Sequence, residues 1–416
     1  MATSALPSIG FSGAGFLGCY HVGVAACLKR QGWLGFDDNS ATQQHTTTFQ
    51  STKIKPLVPL LTGVSAGSMV AAATAAGIEP EPDGMEVVLT AARRTRELSK
   101  KSQLLPTFDA LTPGFSLIDA VEGSFREAIV KALGGTLPLQ QSEQQQQQQC
   151  DYDYSLDSLY DIDPELFQRR FPNNGSLRIG LTDKRALLSS FPPPSPLSSL
   201  PTAYRYVDSY RNVEDVVAAC MLSSYIPGVT GPLFNIGSST EDGKTGNDAM
   251  KRASRQLREM SRLGSVKDGR TGLPTTTPSE KEPSSHDEED DSTQYWDGGI
   301  ADVFPTFDEN TIIVSPINGM YSNPAICPAM QQSNEIAEHQ SPDNNSSVLD
   351  LLQSYVPTTF RHCSKSNLGL NVDNARAVKE MILSSDDEQL YQRFRDGYDD
   401  TTRFLNERGL LRVFRG

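Results

Sequence analysis

Histidine is scarce in this chain. Its 416 residues include five, His21, His45, His286, His339 and His362, so any chemistry that needs an imidazole must draw on these. The six cysteines are scattered with no C-x-x-C pair, which excludes a disulfide scaffold and favours free thiols in a reducing compartment. No run approaches 18 apolar residues, so no transmembrane helix is expected. The opening MATSALPSIG lacks the basic and apolar regions of a secretory leader. Basic charge is also short: Lys plus Arg is 37 against 51 Asp plus Glu, a net charge of −14. Such a chain does not hold nucleic acid or an anionic membrane through its overall field, although a local basic patch stays open. No His, Asp or Glu cluster has metal-ligand spacing, and neither metal nor cofactor is expected.

What is present is a globular composition with polar inserts: 37% hydrophobic residues and a mean hydropathy of −0.39. Strands alternate with helices. The pattern predicts a strand at Ser8–Phe11, a helix at Tyr20–Gln31, a strand-turn-helix over 56–77, and helices at Met85–Lys101 and Ser116–Leu133. SLRIGLTDKRALLSSF reads as one or two strands, NVEDVVAACMLSSYIPG as a helix ended by Pro227, and TIIVSP as a strand. A polar loop covers 36–55, a glutamine tract sits within 136–165, and the stretch from Ser238 to Thr293 is too polar to fold alone. One α/β domain with disordered loop insertions is the economical reading.

Three glycine-rich turns carry the chemistry. Gly13-Ala14-Gly15-Phe16-Leu17-Gly18 matches G-x-G-x-x-G between a strand and a helix. It reads as a dinucleotide fingerprint with Asp37 as the ribose contact, as a close-packing turn, or as an anion cradle of backbone N–H groups. The second β-branched strand of a nucleotide site is missing. Gly63-Val64-Ser65-Ala66-Gly67 places a serine between an apolar strand and an Ala-rich helix, as a nucleophile elbow does; a structural turn is the plain alternative. Asp297-Gly298-Gly299 is first a turn signal. It also offers a carboxylate whose two following glycines let it approach another turn, and a dry setting would raise its basicity.

A Ser-Asp-His triad would have to use His339 or His362, and neither has the surroundings of a catalytic loop. His21, three residues past Gly18, reads as a packed or gate-lining side chain. A Ser65–Asp297 dyad fits better.

Together GAGFLG, GVSAG and DGG, in that order, resemble the patatin-like phospholipase domain. FSGAGFLGCYHVGVAACL, YWDGGIADVFP, NTIIVSPINGMYSNPAICP and the tail YQRFRDGYDDTTRFLNERG look like its adipose triglyceride lipase and adiponutrin branch. The resemblance implies a three-layer α/β/α sandwich with a mainly parallel central sheet. It implies a catalytic domain over 7–320, with insertions at about 36–55, 136–165 and 238–294, and a helical extension over 345–416. It makes Ser65 the nucleophile, Asp297 the proton acceptor, and the N–H groups around Gly13, Ala14 and Gly15 the oxyanion hole, with Gly63, Gly67, Gly298 and Gly299 shaping the turns. The implied activity is that of a serine carboxylic ester hydrolase. Triacylglycerol comes first as substrate, then phospholipid or galactolipid, then acyl transfer; a non-catalytic lipid-binding regulator is the alternative from another class. It would work from the cytoplasm at a membrane or lipid-droplet surface, with room for a protein co-activator.

One stretch bears on how an acidic chain meets lipid. In DAMKRASRQLREMSRLG, Met250, Ala253, Leu257, Met260 and Leu263 recur at helical spacing, and Lys251, Arg252, Arg255, Arg258 and Arg262 cover much of the rest. It reads either as a solvated piece of loop or as a basic amphipathic helix lying in a membrane interface.

Overall fold

The strand β1 (Ile9–Phe11) is buried throughout and lies at the middle of the sheet, because both of its edges are paired: β2 (Leu61–Gly63) on one side and β7 (Ile312–Val314) on the other, both parallel. The computed structural model describes residues 8–34, 60–101, 117–137, 160–189, 203–226, 230, 248–275, 295–329, 366–367 and 371–411.

After β1 come a 3-10 turn at Gly15–Leu17 and α1 (Gly18–Arg30); after β2 come α2 (Ala66–Ala76), α3 (Met85–Lys101) and α4 (Leu117–Ala132). Then follow α5 (Pro164–Arg170), β3 (Leu177–Asp183), α6 (Lys184–Ser189), β4 (Tyr204–Val207), α7 (Val213–Ser223), α8 (Asp248–Arg262), β5 (Val266–Asp268), β6 (Tyr295–Asp297) and the single turn α9 (Gly298–Ala301). Past β7 the chain forms β8 (Met320–Tyr321), β9 (Ala325–Ile326), β10 (Ser366–Asn367), α10 (Val372–Ile382) and α11 (Asp387–Glu407). The sheet runs β5-β4-β3-β2-β1-β7-β9, with β6 joined to β3. Pairs from β3 through β9 are parallel, while β4, β5 and β6 enter antiparallel. This is the α/β architecture expected, a mainly parallel sheet with flanking helices.

The first half of the chain follows its periodicity closely, and three departures have local causes. SLRIGLTDKRALLSSF is a strand and then a helix, because the Asp183 carboxylate accepts the N–H of Arg185 and of Ala186 and starts α6. The ordered chain resumes at Tyr160, within the segment read as an insertion, where Tyr160 and Ile162 are buried and the Tyr160 hydroxyl bonds Glu214.

The third departure is the largest. The polar stretch from 238 to 293 contains α8 and β5. Met250, Ala253, Leu257 and Met260 are each no more than 3% exposed, packed in the core beside α7, and Val266 pairs with Val207 to add β5 to the sheet. Arg252 and Gln256 tie the helix down through Glu122 and Asp215, both at 2.7 Å. The segment is therefore neither a solvated loop nor a free interfacial helix: four residues of its apolar stripe are buried in the domain, and Leu263, just past the helix, is exposed. The polar average hid it, since a helix needs only a stripe of apolar residues to dock. The loop at 36–55 with Asp37, and the glutamine tract, lie outside the described residues.

The C-terminal helices belong to the same body. Helix α11 crosses α1 with almost no gap: a β-carbon on Gly23 would stand 1.9 Å from the Phe394 carbonyl, and one on Gly397 would stand 2.1 Å from that of Tyr20. The Tyr20 hydroxyl seals the crossing with a 2.8 Å bond to Asp400.

Candidate active site

The strand β3 brings the serine and aspartate motifs together. Its residues 179–182 pair with β4 on one edge. On the other edge Ile179 pairs with Gly63 of β2, and Leu181 pairs with Asp297 of β6. Two strands distant in sequence thus dock end to end on one strand, with Gly63 and Asp297 two residues, or roughly 7 Å, apart along it. Ser65 follows Gly63 by two residues, past the carboxyl end of a parallel strand, where open α/β sheets place their sites.

Ser65 sits at the junction of β2 and α2 with φ 54° and ψ −136°, a conformation that costs a non-glycine residue about 1–3 kcal/mol. The neighbouring motif glycines make the turn possible. A β-carbon on Gly63 would fall 2.3 Å from the Gly67 carbonyl, and one on Gly67 would fall 2.4 Å from that of Ser12. The elbow is thus as tight as backbone allows, and it holds the Ser65 side chain at the boundary between core and solvent.

Asp297 is 2% exposed. Its Oδ1 accepts the Gly299 N–H at 2.7 Å, which begins the turn α9, while its carbonyl accepts the Thr182 hydroxyl at 2.6 Å. Gly298 presses on β3, where a β-carbon would meet the Gly180 carbonyl at 2.2 Å. Burial pushes the Asp297 carboxyl up to about 7, partly opposed by the Ser65 hydroxyl and the Gly299 N–H, both of which favour the ionised form. Among the described residues Oδ2 makes no hydrogen bond of good geometry. Ser65 is the side-chain donor that acts on this carboxylate, near it but short of an aligned bond. A carboxylate poised near neutrality beside a hydroxyl has the basicity that proton abstraction needs.

The glycine loop passes the elbow closely. A β-carbon on Gly13 would lie 3.6 Å from that of Ser65, and one on Gly18 would lie 3.5 Å from that of Ala66. The Gly13 N–H already reaches the Val303 carbonyl at a long 3.4 Å, whereas the N–H groups of Ala14 and Gly15 donate to no acceptor among the described residues. Two unspent donors beside a serine suit a developing oxyanion.

From Ser65 an apolar cavity of about 120 Å³ runs between α1, α2, α3 and α4, walled by Phe16, Met69, Val88, Val121, Phe125 and Met221. Such a cavity takes hydrocarbon in preference to water.

Of the histidines, His21 alone is described. It is fully buried against Phe11, its Nε2 faces the Ser12 hydroxyl at 3.5 Å, and burial lowers its pKa to about 3. It is a packed neutral imidazole beneath the glycine loop. His45, His286, His339 and His362 lie outside the described residues. Among the described residues no three His, Cys, Asp or Glu side chains gather as a metal site, and no helix is long and apolar enough to cross a membrane.

Sequence reasoning missed the residues behind the two turns. Ser223 accepts the Ser65 N–H through both its carbonyl and its hydroxyl, each at 3.0 Å. Thr182 pins Asp297 and also accepts the Ala301 N–H at 3.1 Å. Both are ordinary buried hydroxyls, and only the serine-rich end of the α7 pattern hinted at the first.

A family model described as patatin-like phospholipase matches residues 10–308. The chain belongs to that family, and membership carries lipid acyl hydrolase activity. No curated protein and no solved structure matches it. The strand β7 and the helices α10 and α11 come after the last matched residue.

Proposed function

We propose that this member of the patatin-like phospholipase family cleaves carboxylic esters of lipids with a Ser65–Asp297 dyad, and that triacylglycerol is its first substrate. The observation that carries the reading is the buried Asp297 carboxyl, raised to about 7, beside a serine on a strained elbow. Ser65 Oγ attacks the ester carbonyl carbon while its proton passes to Asp297. The oxyanion that forms takes hydrogen bonds from the N–H groups of the 13–18 loop, those of Ala14 and Gly15 being the unspent ones. Collapse of the tetrahedral species breaks the ester C–O bond, and the departing alcohol takes the proton from Asp297. Water then attacks the acyl-enzyme with Asp297 again accepting a proton, which returns to Ser65 as the fatty acid leaves. The cavity beside Ser65 supports an acyl chain as the part of the substrate held during both steps.

The preference for triacylglycerol rests on the likeness of the motif flanks to the adipose triglyceride lipase and adiponutrin branch, as does work at a droplet or membrane surface from the cytoplasm. The test is release of fatty acid from emulsions of triacylglycerol, phospholipid and galactolipid. Wild type should act best on the first, and Ser65→Ala and Asp297→Asn should each lose nearly all activity. The double variant should be scarcely worse than either single one, since the two groups act as a unit. Preference for a polar-headed lipid would make the chain a phospholipase A or galactolipase. Wild type no more active than Ser65→Ala would make it a lipid-binding protein without catalysis.

A further inference from the structure

The short segment that ends α7 holds the backbone of both Ser65 and Asp297. Ser223 takes the Ser65 N–H, and its hydroxyl donates onward to the Gly180 carbonyl at 2.6 Å. Two residues later the Tyr225 carbonyl accepts the Asp297 N–H at 2.8 Å. The serine turn and the aspartate turn therefore hang from one segment, with β3 as the third point of attachment.

That segment is closed by Thr230. Its hydroxyl accepts the Ile226 N–H at 2.7 Å and donates to the Ser224 carbonyl at 2.6 Å, and its own N–H donates to the Ile226 carbonyl at 3.0 Å. The Thr230 carbonyl in turn accepts the Ile118 N–H, at 3.4 Å, from the first turn of α4. Thr230, Ser224 and Ile118 all face the apolar cavity. One threonine thus closes the turn that carries the two backbone anchors and also forms part of the wall against which a hydrocarbon chain would lie.

We propose that Thr230 is a positioning residue for ester cleavage: its hydroxyl keeps residues 223–226 in the shape that sets Ser65 against Asp297, and its place in the cavity wall makes it the point where a bound acyl chain meets that arrangement. The inference rests on the Ser65–Asp297 reading above. Its physical basis is the steep cost of misplacement, because a reacting pair moved by about 1 Å can lose about a hundredfold in rate. Thr230 touches neither reacting group directly, so its effect should appear in turnover and leave binding nearly alone.

The test uses the full chain carrying Thr230→Val, which keeps the shape without the hydroxyl, and Thr230→Ser, which keeps the hydroxyl without the methyl. Competent sites are counted by exhaustive labelling with a fluorophosphonate, and kcat per labelled site is measured on p-nitrophenyl octanoate. Thr230→Val should lose roughly tenfold in kcat per site with KM within about twofold, and Thr230→Ser should stay within about twofold of wild type. A merely structural threonine would instead lower the melting temperature and the labelled fraction in Thr230→Val while leaving kcat per site unchanged. That result, or a serine variant as impaired as the valine one, overturns the proposal. Should Thr230→Val fail to fold, Thr230→Ala carries the test: it removes the same hydroxyl from Ile226 and Ser224 without a branched side chain to seat, and an unchanged kcat per site there overturns the proposal equally. Wild type that neither labels at Ser65 nor hydrolyses ester removes the dyad reading and this one with it. Hydrolysis lost in Ser65→Ala but untouched in Thr230→Val removes this one alone.

Discussion

Gly15 rests on the backbone of Met381: a β-carbon at Gly15 would stand 2.1 Å from the Met381 carbonyl oxygen. The two residues belong to opposite ends of the described chain, and their contact places α10 on the glycine loop. Ala377, with the partly buried Val378 and Met381, packs there against Ala14, Leu17 and Ala66. Asn374, one turn earlier on the same face, fastens the helix as well, accepting the Asn318 N–H at 3.0 Å and donating to the Asn318 carbonyl at 2.9 Å.

It follows that Gly15 cannot be used to probe an oxyanion role cleanly. Gly15 has φ 51°, so Gly15→Ala or Gly15→Val meets both a strained backbone and α10, and should cost well over about 1 kcal/mol of stability. Gly13 is the better probe, because its new methyl would sit in ordinary contact, 3.6 Å from the Ser65 β-carbon. Gly13→Ala should keep the melting temperature of wild type and lose roughly ten- to a hundredfold in kcat. Thermal melts beside ester hydrolysis check the pair; equal stability losses in both would sink the distinction.

Asp297 sets the pH dependence. Proton abstraction needs the ionised carboxylate, so kcat/KM should climb with pH through about 7. Stability should move the other way. The folded carboxyl ionises at a higher pH than the unfolded one, so its contribution is whole below about 4 and is lost as pH rises to about 7. Asp297→Asn has no such loss. Urea unfolding should therefore find the two proteins alike near pH 4 and the variant ahead near pH 8, by at most about 4 kcal/mol. A gap that is the same at both pH values would rule out the raised pKa.

Chain-length preference is readable from the cavity wall. Ala73 lines it beside Met69 and Val70, and Ala73→Phe would fill much of the space. On p-nitrophenyl esters of increasing length, this variant should keep its rate on acetate and fall roughly tenfold on decanoate, the order of a few lost methylene contacts. A uniform fall across all lengths would place the acyl chain elsewhere.

The basic helix α8 gives the fourth test. Its apolar stripe is occupied by the core, so Leu257→Ala should cost about 2–5 kcal/mol, as for other buried leucines. Replacing Lys251, Arg252, Arg255, Arg258 and Arg262 with Gln should leave sedimentation with anionic vesicles unchanged. A marked loss of vesicle binding would mean that the outward basic face of the docked helix meets the anionic surface.

How much of this was legible beforehand depended on where the information lies. Met85–Lys101 was read to the residue, because a 17-residue amphipathic repeat announces itself. The three glycine turns stood out because close approach leaves glycine little substitute. The strand β4 is four residues with one aromatic pair, too short for a period, and β5 is three. The anchoring of Ser65 and Asp297 by residues 223–225 uses two carbonyls that any amino acid supplies, so apart from the Ser223 hydroxyl residue type carried no signal of it. The packing of α10 and α11 on the first helix and its loop joins segments that no local pattern relates.

The shared edge of β3 also makes the site discrete. The position of Asp297 is counted in whole residues along β3, through its pairing with Leu181. A slip of β6 by one residue would turn the carboxylate to the opposite face of the sheet, so no partly aligned state lies between. Loop length between β2 and β6 therefore does not tune the separation of Ser65 and Asp297; the pair is either in register or absent.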